Sequence, residues 1–320
     1  MPILRECRPS DSAGIAELLK RNPTEEFPLL GLDPQQVEGI LRRLQRWEIR
    51  LILGLSAAIR RPLIKILVLA ESGKILGIAM IGFTPEVAQI GGLTVDGSIQ
   101  RRGHGQELMK ACERIGRRYG RFYLTLDVLA GNLPAVGLYQ KLGYRTIRDV
   151  RWMSRDLRPP FVDETGYRSL RSLRIRAFRP ADTKELVALA NAAMPAEVRS
   201  VVRLRLQDFR AAGLSRRAGQ VEAASWVLER ENQIAGYVKA FVSPAVEAAQ
   251  IGPLVLAQPF DNDACSTLVQ TALAWCVERR APRAILALPE HLDELRPTIE
   301  RGGFTERFRL HTMALPIGAA

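Results

Sequence analysis

The chain has 320 residues, 47% hydrophobic and 25% charged, with a formal net charge of +12. Its length predicts two folding units; the apolar content excludes a disordered chain, and 25 Gly with 19 Pro are too few for a fibrous one. Of the 46 basic residues 39 are Arg, scattered without a basic block or interleaved aromatics, so the charge reads as a solvated surface and no nucleic-acid partner is expected.

The four cysteines (Cys7, Cys112, Cys265, Cys276) show no CxxC spacing, and the three histidines (His104, His291, His311) are far apart. Neither a disulfide framework nor a metal site is expected, and a reducing, cytoplasmic setting fits. The first eleven residues hold no apolar signal core. The most membrane-like stretch, 51–69, is broken by Arg60, Arg61, Pro62 and Lys65, so no membrane span is expected.

In chain order, the pattern predicts a strand at 3–8 and a helix at 12–21. Apolar residues at Val37, Ile40, Leu41 and Leu44 predict a helix at 34–47, and 49–59 reads as a buried helix or wall. Strands follow at 64–71, 75–83 and 87–95, with a turn at 71–74. Then come a helix at 103–119, a strand at 122–128, a helix at 134–141 and two closing strands near 144–157. Pro134 suits a first helical turn and Gly143 a helix stop.

Three landmarks recur in the same order about 160–170 residues apart. Arg5-Glu-Cys-Arg-Pro-Ser-Asp11 returns as Arg176-Ala-Phe-Arg-Pro-Ala-Asp182, with Asp11 and Asp182 placed as helix N-caps. Gln89-Ile-Gly-Gly-Leu93 returns as Gln250-Ile-Gly-Pro-Leu254, and Lys141-Leu-Gly-Tyr144 as Arg301-Gly-Gly-Phe304. Two copies of one domain are expected, at 1–157 and 173–320, joined by a Pro- and Gly-containing linker at 158–172.

The loop Gln100-Arg-Arg-Gly-His-Gly105 lies between a strand and an amphipathic helix. The first N–H groups of a helix lack partners and attract anions, and Gly103 and Gly105 leave those amides uncovered. Arg101 and Arg102 add charge suited to phosphate. Downstream stand Asn132, Ala135, Leu138, Tyr139, Lys141, Gly143 and Tyr144.

Together these residues resemble the GCN5-related N-acetyltransferase (GNAT) superfamily. Gln100, Gly103 and Gly105 match its Q/R-x-x-G-x-G/A signature. The later group matches its N-x-x-A…LYxKxGF signature, with Tyr144 in place of Phe. The resemblance implies an α/β fold of two tandem domains, each a mixed, largely antiparallel sheet flanked by helices. It implies acetyl-CoA as co-substrate, with no metal, and an amine acceptor. The diphosphate would rest on amides from Arg101 through Gly103, His104 and Gly105 to Gln106. The pantetheine arm would meet the backbone at Leu93 and Val95, where the strand splays from its neighbour near Leu126, and would meet Asn132 and Ala135.

Tyr139 matches the family's general acid. Asp127, in Leu126-Asp127-Val128, stands where some members carry a Glu base and is one methylene shorter; Gln89 can orient a water but accepts no proton. His104 faces phosphate rather than thioester, and Glu86 falls on a turn. The second copy has no glycine pair at 254–268, and its Asp261 and Asp263 oppose a diphosphate. It is expected to keep the fold without the phosphate loop. The alternative to an enzyme is a CoA-binding regulatory or scaffold protein.

Overall fold

The computed structural model describes residues 2–22, 63–158, 173–205, 209, 222–243 and 246–318. The helices expected at 34–47 and 49–59, and nearly all of the linker expected at 158–172, lie outside the described residues. By its internal contacts the chain divides into residues 1–147 together with 311–320, and residues 148–310.

The first unit holds β1 (Ile3–Glu6), α1 (Ser12–Arg21), β2 (Ile64–Glu71), β3 (Lys74–Phe83) and β4 (Val87–Val95), then α2 (His104–Arg118), β5 (Tyr123–Leu129) and α3 (Leu133–Lys141). Strands β1 to β4 run antiparallel in sequence order, and β5 lies parallel to β4. Period-two alternation gives the sheet two apolar faces. Leu124, Leu126 and Val128 pack under Leu108, Met109 and Cys112 of α2. On the opposite face, Val68, Ile75 and Ile78 pack against Ile15, Leu18 and Leu19 of α1.

Residues 145–156 form a single strand, β6 (Arg145–Asp156), rather than the two closing strands expected there. The segment contains no Gly, Pro or Asn with which to turn, so it stays a single strand, and its residues from 148 on belong to the second unit. In the first unit the strand beside β5 comes from the far end of the sequence: it is residues 311–316 of the last strand, Thr305–Pro316. Met313 and Ile317 are buried in the core beneath α2.

The second unit contains β7 (Leu173–Ala177), α4 (Thr183–Ala192), α5 (Ala196–Val201), β8 (Glu222–Arg230), β9 (Gln233–Ser243) and β10 (Val246–Leu256). These are followed by α6 (Asn262–Glu278), β11 (Arg283–Pro289), α7 (Arg296–Arg301) and the first half of β12 (Thr305–Pro316). Its antiparallel run β7–β8–β9–β10 and parallel β10–β11 pair reproduce the topology of the first unit. Helix α6 packs Cys265, Leu268 and Ala272 on one core. Helix α4 packs Leu186 and Ala190 on the other face. Among the described residues no helix is long and apolar enough to cross a membrane.

Each recurring landmark builds the same device twice. In the first, the Arg5 guanidinium donates to both Asp11 oxygens at 2.6 and 2.9 Å, and Arg176 does the same to Asp182 at 2.7 and 2.9 Å. Each carboxylate also accepts the N–H of the Arg before Pro, at 2.6 Å from Arg8 and 2.7 Å from Arg179. Asp11 and Asp182 therefore do not cap α1 and α4 through their side chains, as the sequence suggested. The bidentate partner turns them back onto the strand, where they lock the strand-to-helix corner.

The Arg176 bond is the main influence holding the Asp182 carboxyl below the usual carboxylate range, against a desolvation that raises it. Its contribution is thus complete above an unfolded pKa near ~4 and is lost as pH falls through the lower folded value. Asp182→Ala removes the bidentate bond but leaves Arg176 paired with Glu229 at 2.6 Å, and a loss of about 1.5–3 kcal/mol in chemical denaturation at neutral pH is expected. That deficit should shrink below pH ~4, where the wild-type pair is itself titrated.

The second landmark is a bulge. Gly92 and Leu93 stand opposite the single residue Ala79, and Gly252 and Pro253 opposite Lys239. Such an insertion bends its strand. The third is a helix stop: Gly143 (φ +90°) and Gly303 (φ +78°) take the left-handed conformation that ends α3 and α7. The next aromatic, Tyr144 or Phe304, is buried.

Candidate active site

The β4 bulge opens the sheet. β4 and β5 pair from Val87↔Tyr123 to Ile90↔Leu126 and no further, although β4 continues to Val95 and β5 to Leu129. The splay expected near Val95 and Leu126 thus begins at Ile90, and it leaves the β5-facing edge of residues 91–95 unpaired with β5. Thr94 sits on this stretch with its hydroxyl buried and without a described partner.

The loop after β4 leads into α2. Arg101 (φ +60°) and Gly103 (φ +87°) both adopt left-handed conformations. Gly103 is the N-cap, and no side chain caps the turn. The first helical bond is Glu107 N–H to the Gly103 carbonyl at 3.0 Å, so the amides of His104, Gly105 and Gln106 precede the helix ladder. A methyl group on Gly103 would touch nothing, yet its φ disfavours any other residue. Arg101 and Arg102 are exposed, without an ion pair among the described residues.

Gln100 holds the loop itself in shape, since its amide donates to the Val95 carbonyl at 2.9 Å and closes the loop on the strand. His104 reaches Glu107 at 3.3 Å within the first turn. Asn132 is the N-cap of α3, its side-chain oxygen accepting from the Ala135 N–H at 3.3 Å. Leu93 and Val95 are partly buried beside the α2 core.

Asp127 is exposed on β5, one residue past the last β4–β5 pair. It alternates with Leu126 and Val128 and so lies on the α1 face. There it accepts a 2.7 Å bond from the Thr312 hydroxyl and a 3.3 Å bond from the Gln89 amide. Thr312 belongs by sequence to the second copy, so nothing in the sequence marks it as a partner of Asp127. Tyr139 is on the other face, 7% exposed in the α2 core, its ring 6.0 Å from Tyr144. The two candidate catalysts flank the split from opposite sides.

Tyr144 carries a cost. Its hydroxyl is buried with no partner among the described residues, and burial pushes its pKa far above the phenol range. Its counterpart Phe304 has no such group. Tyr144→Phe is expected to raise stability by about 1–3 kcal/mol, read as a higher denaturation midpoint, with acetyl-CoA affinity unchanged.

The second unit differs where the first is open. Its α6 is capped by Asp261, which accepts from the Asp263 and Ala264 N–H groups at 2.8 and 3.3 Å and pairs with Arg230. The amides that lie bare in α2 are occupied here.

A split sheet facing a bare helix start is thus built into one half of a repeated α/β plan. Residues 24–144 match the acetyltransferase (GNAT) family. This part of the chain is similar to a GNAT domain, and the chain as a whole has the fold of a tandem GNAT protein. A tandem GNAT protein from the clavulanic acid biosynthesis pathway aligns over 100% of both chains, with TM-score 0.68 and 15% identity. A GCN5-related N-acetyltransferase from Sphaerobacter thermophilus aligns over 100% of this chain and 96% of its own, with TM-score 0.68 and 16% identity. The glucosamine N-acetyltransferase region of a fungal multi-domain β-N-acetylglucosaminidase covers 98% of this chain and 38% of that one, with TM-score 0.68 and 15% identity. At these identities the likeness is one of fold.

Proposed function

We propose that the first unit transfers an acetyl group from acetyl-CoA to a primary amine by direct attack. The observation that carries the reading is the split after Ile90/Leu126 together with the uncapped start of α2. A nucleotide thioester suits both features. Its diphosphate would take the bare amides of 103–106 with Arg101 and Arg102, and its amide-bearing arm the unpaired edge of Gly91 to Val95.

The bound thioester supplies an electrophilic acyl carbon. Asp127, oriented by its two donors, takes a proton from the incoming ammonium through a bridging water, since the aspartate side chain is short. As the new C–N bond forms and the C–S bond breaks, Tyr139 gives its phenolic proton to the departing sulfur, and the proton that the acylated nitrogen then sheds restores the phenol. The second unit, whose α6 amides are taken by Asp261, keeps the fold without this cradle.

The test is an acetylation assay over small amines, an aminoglycoside, a peptide N-terminus and a lysine peptide, read through released thiol. Transfer to at least one is expected. Tyr139→Phe should lower kcat by about 10²–10⁴-fold without weakening acetyl-CoA binding. CoA binding without transfer to any amine would favour a regulatory protein and overturn the enzyme reading.

A further inference from the structure

The second unit repeats the split and holds a cavity at it. β10 and β11 pair only from Ala249↔Ala284 to Ile251↔Leu286, while the strands run on to Leu256 and Pro289. At this opening, on the α4 side, lies a cavity of about 260 Å³, and every described residue lining it belongs to the second unit. Gly252 to Leu256 of β10 line it from one strand, Ala287 and Pro289 of β11 from the other, and Ala190 and Met194 from α4 and the turn after it.

What the end of β10 offers this cavity is backbone. The Ala257 N–H donates to the Ala235 carbonyl at 2.9 Å, so Ala257 and, two residues earlier, Val255 turn their polar groups toward β9. In an antiparallel pair the residues between them point the other way. The N–H and C=O groups of Leu254 and Leu256 therefore face β11, on the stretch where no described strand pair meets them. Their side chains do not cover this edge, because both pack into the α6 core, on the face away from the cavity. Val255 alternates with them and packs on the α4 side. Strand N–H and C=O groups are costly to leave unpaired inside a protein, so the edge suits an occupant that brings a donor and an acceptor of its own.

The rest of the lining sets the character of that occupant. Among the described residues no carboxylate or lysine lines the cavity, and Arg148 at its rim has an interaction of its own. Burial first, and then the charge of Arg148, push the His291 imidazole down to about 4, which leaves it neutral at physiological pH. A charged ligand thus meets no free counter-charge, while Met194, Phe241 and Ile285 make the remaining walls apolar. A nucleotide thioester needs a diphosphate cradle, and the one at α6 is filled by Asp261. Just past the last strand pair, where the first unit has Asp127, the second has Ala287, so this opening has no carboxylate base and is suited to binding alone. The volume falls just below the roughly 300–1,000 Å³ typical of ligand sites, which limits the occupant to a small molecule.

We propose that the second unit binds a small uncharged secondary amide at its split, with the N–H and C=O of the amide paired to the strand edge at Leu254 and Leu256 and its hydrocarbon ends in the cavity. A secondary amide fits because one flat group presents a donor and an acceptor on opposite sides, as a neighbouring strand does. The site is independent of the acetyl-transfer reading, because no residue of the first unit takes part in it.

N-butylbutanamide is the probe and butyl butanoate, the ester of the same shape without an N–H, its control, both titrated into the full-length protein by calorimetry. The amide should bind about tenfold more tightly than the ester, which leaves a strand carbonyl unpaired. It should also bind more tightly than hexanoate or hexylammonium, which carry a charge of either sign. Ala287→Phe, which fills the opening from β11, should abolish amide binding with the thermal unfolding transition retained; Ala193→Phe, which fills it from the end of α4, gives the same reading where the strand variant does not fold. Saturating acetyl-CoA should leave amide binding unchanged, which separates this site from the first unit. Equal affinity for amide and ester, tighter binding of either ion, undiminished binding in a folded filled variant, displacement by acetyl-CoA or failure of the amide to bind would each overturn the proposal.

Discussion

Asp127→Asn is expected to lower kcat by about 10²–10⁴-fold while leaving the Kd for acetyl-CoA unchanged. The carboxylate lies beside the split but away from the α2 cradle, so removing it should not disturb diphosphate binding. Its two described partners, Thr312 and Gln89, both donate. A carboxylate accepts from both; an asparagine amide can still accept from Gln89 with its oxygen and donate its NH₂ to the Thr312 hydroxyl, which also accepts. The substitution therefore removes the base and leaves its hydrogen-bonded setting in place. Thr312→Val tests the setting instead: a positioning role predicts a lower kcat with KM for acetyl-CoA unmoved. An Asp127→Asn enzyme with undiminished kcat would move the base elsewhere.

What was legible in the sequence divides by range. The β2–β3–β4 meander, α2 and β5 fall within a residue or so of expectation, because period-two and helical patterns are local signals. The repeated landmarks were visible as strings, but their meaning was not. Asp11 looks like an N-cap by position alone, and only the fold shows that Arg5, six residues earlier, claims its carboxylate. The Gly91–Gly92 pair falls inside the strand expected at 87–95, and its work as a bulge depends on Ala79 across the sheet. The phosphate loop was readable because its chemistry sits in consecutive residues. Thr312 was not: it reaches Asp127 across 185 positions, and no spacing rule links them. The same long connection hid the origin of the closing strand in the first unit, since periodicity identifies a strand without naming its neighbour.

That connection makes the last residues of the sequence decisive for a site nearly two hundred residues earlier. Deleting 311–320 is expected to abolish acetyl-CoA binding and cooperative unfolding of the first unit, monitored by CoA-dependent thermal shift and by calorimetry. The deletion removes Met313 and Ile317, both buried, and Leu315, which is packed against the same core. It also removes the Ile317 carbonyl that accepts from Arg117, the Ile317 N–H that donates to the Phe122 carbonyl at 2.8 Å, and the Thr312 bond to Asp127. β5 would become an open edge with unpaired backbone groups. Met313→Ala gives a graded version, with a loss of about 2–5 kcal/mol for a fully buried side chain and the hydrogen bonds intact. If burial beneath α2 is what the strand supplies, Met313→Ala lowers the thermal midpoint but retains acetyl-CoA binding below it, whereas Thr312→Val does the reverse and slows turnover without shifting the midpoint. Retained CoA binding and an unchanged transition after deletion would show that residues 1–147 fold without their distant strand, and that Asp127 is positioned from within its own half.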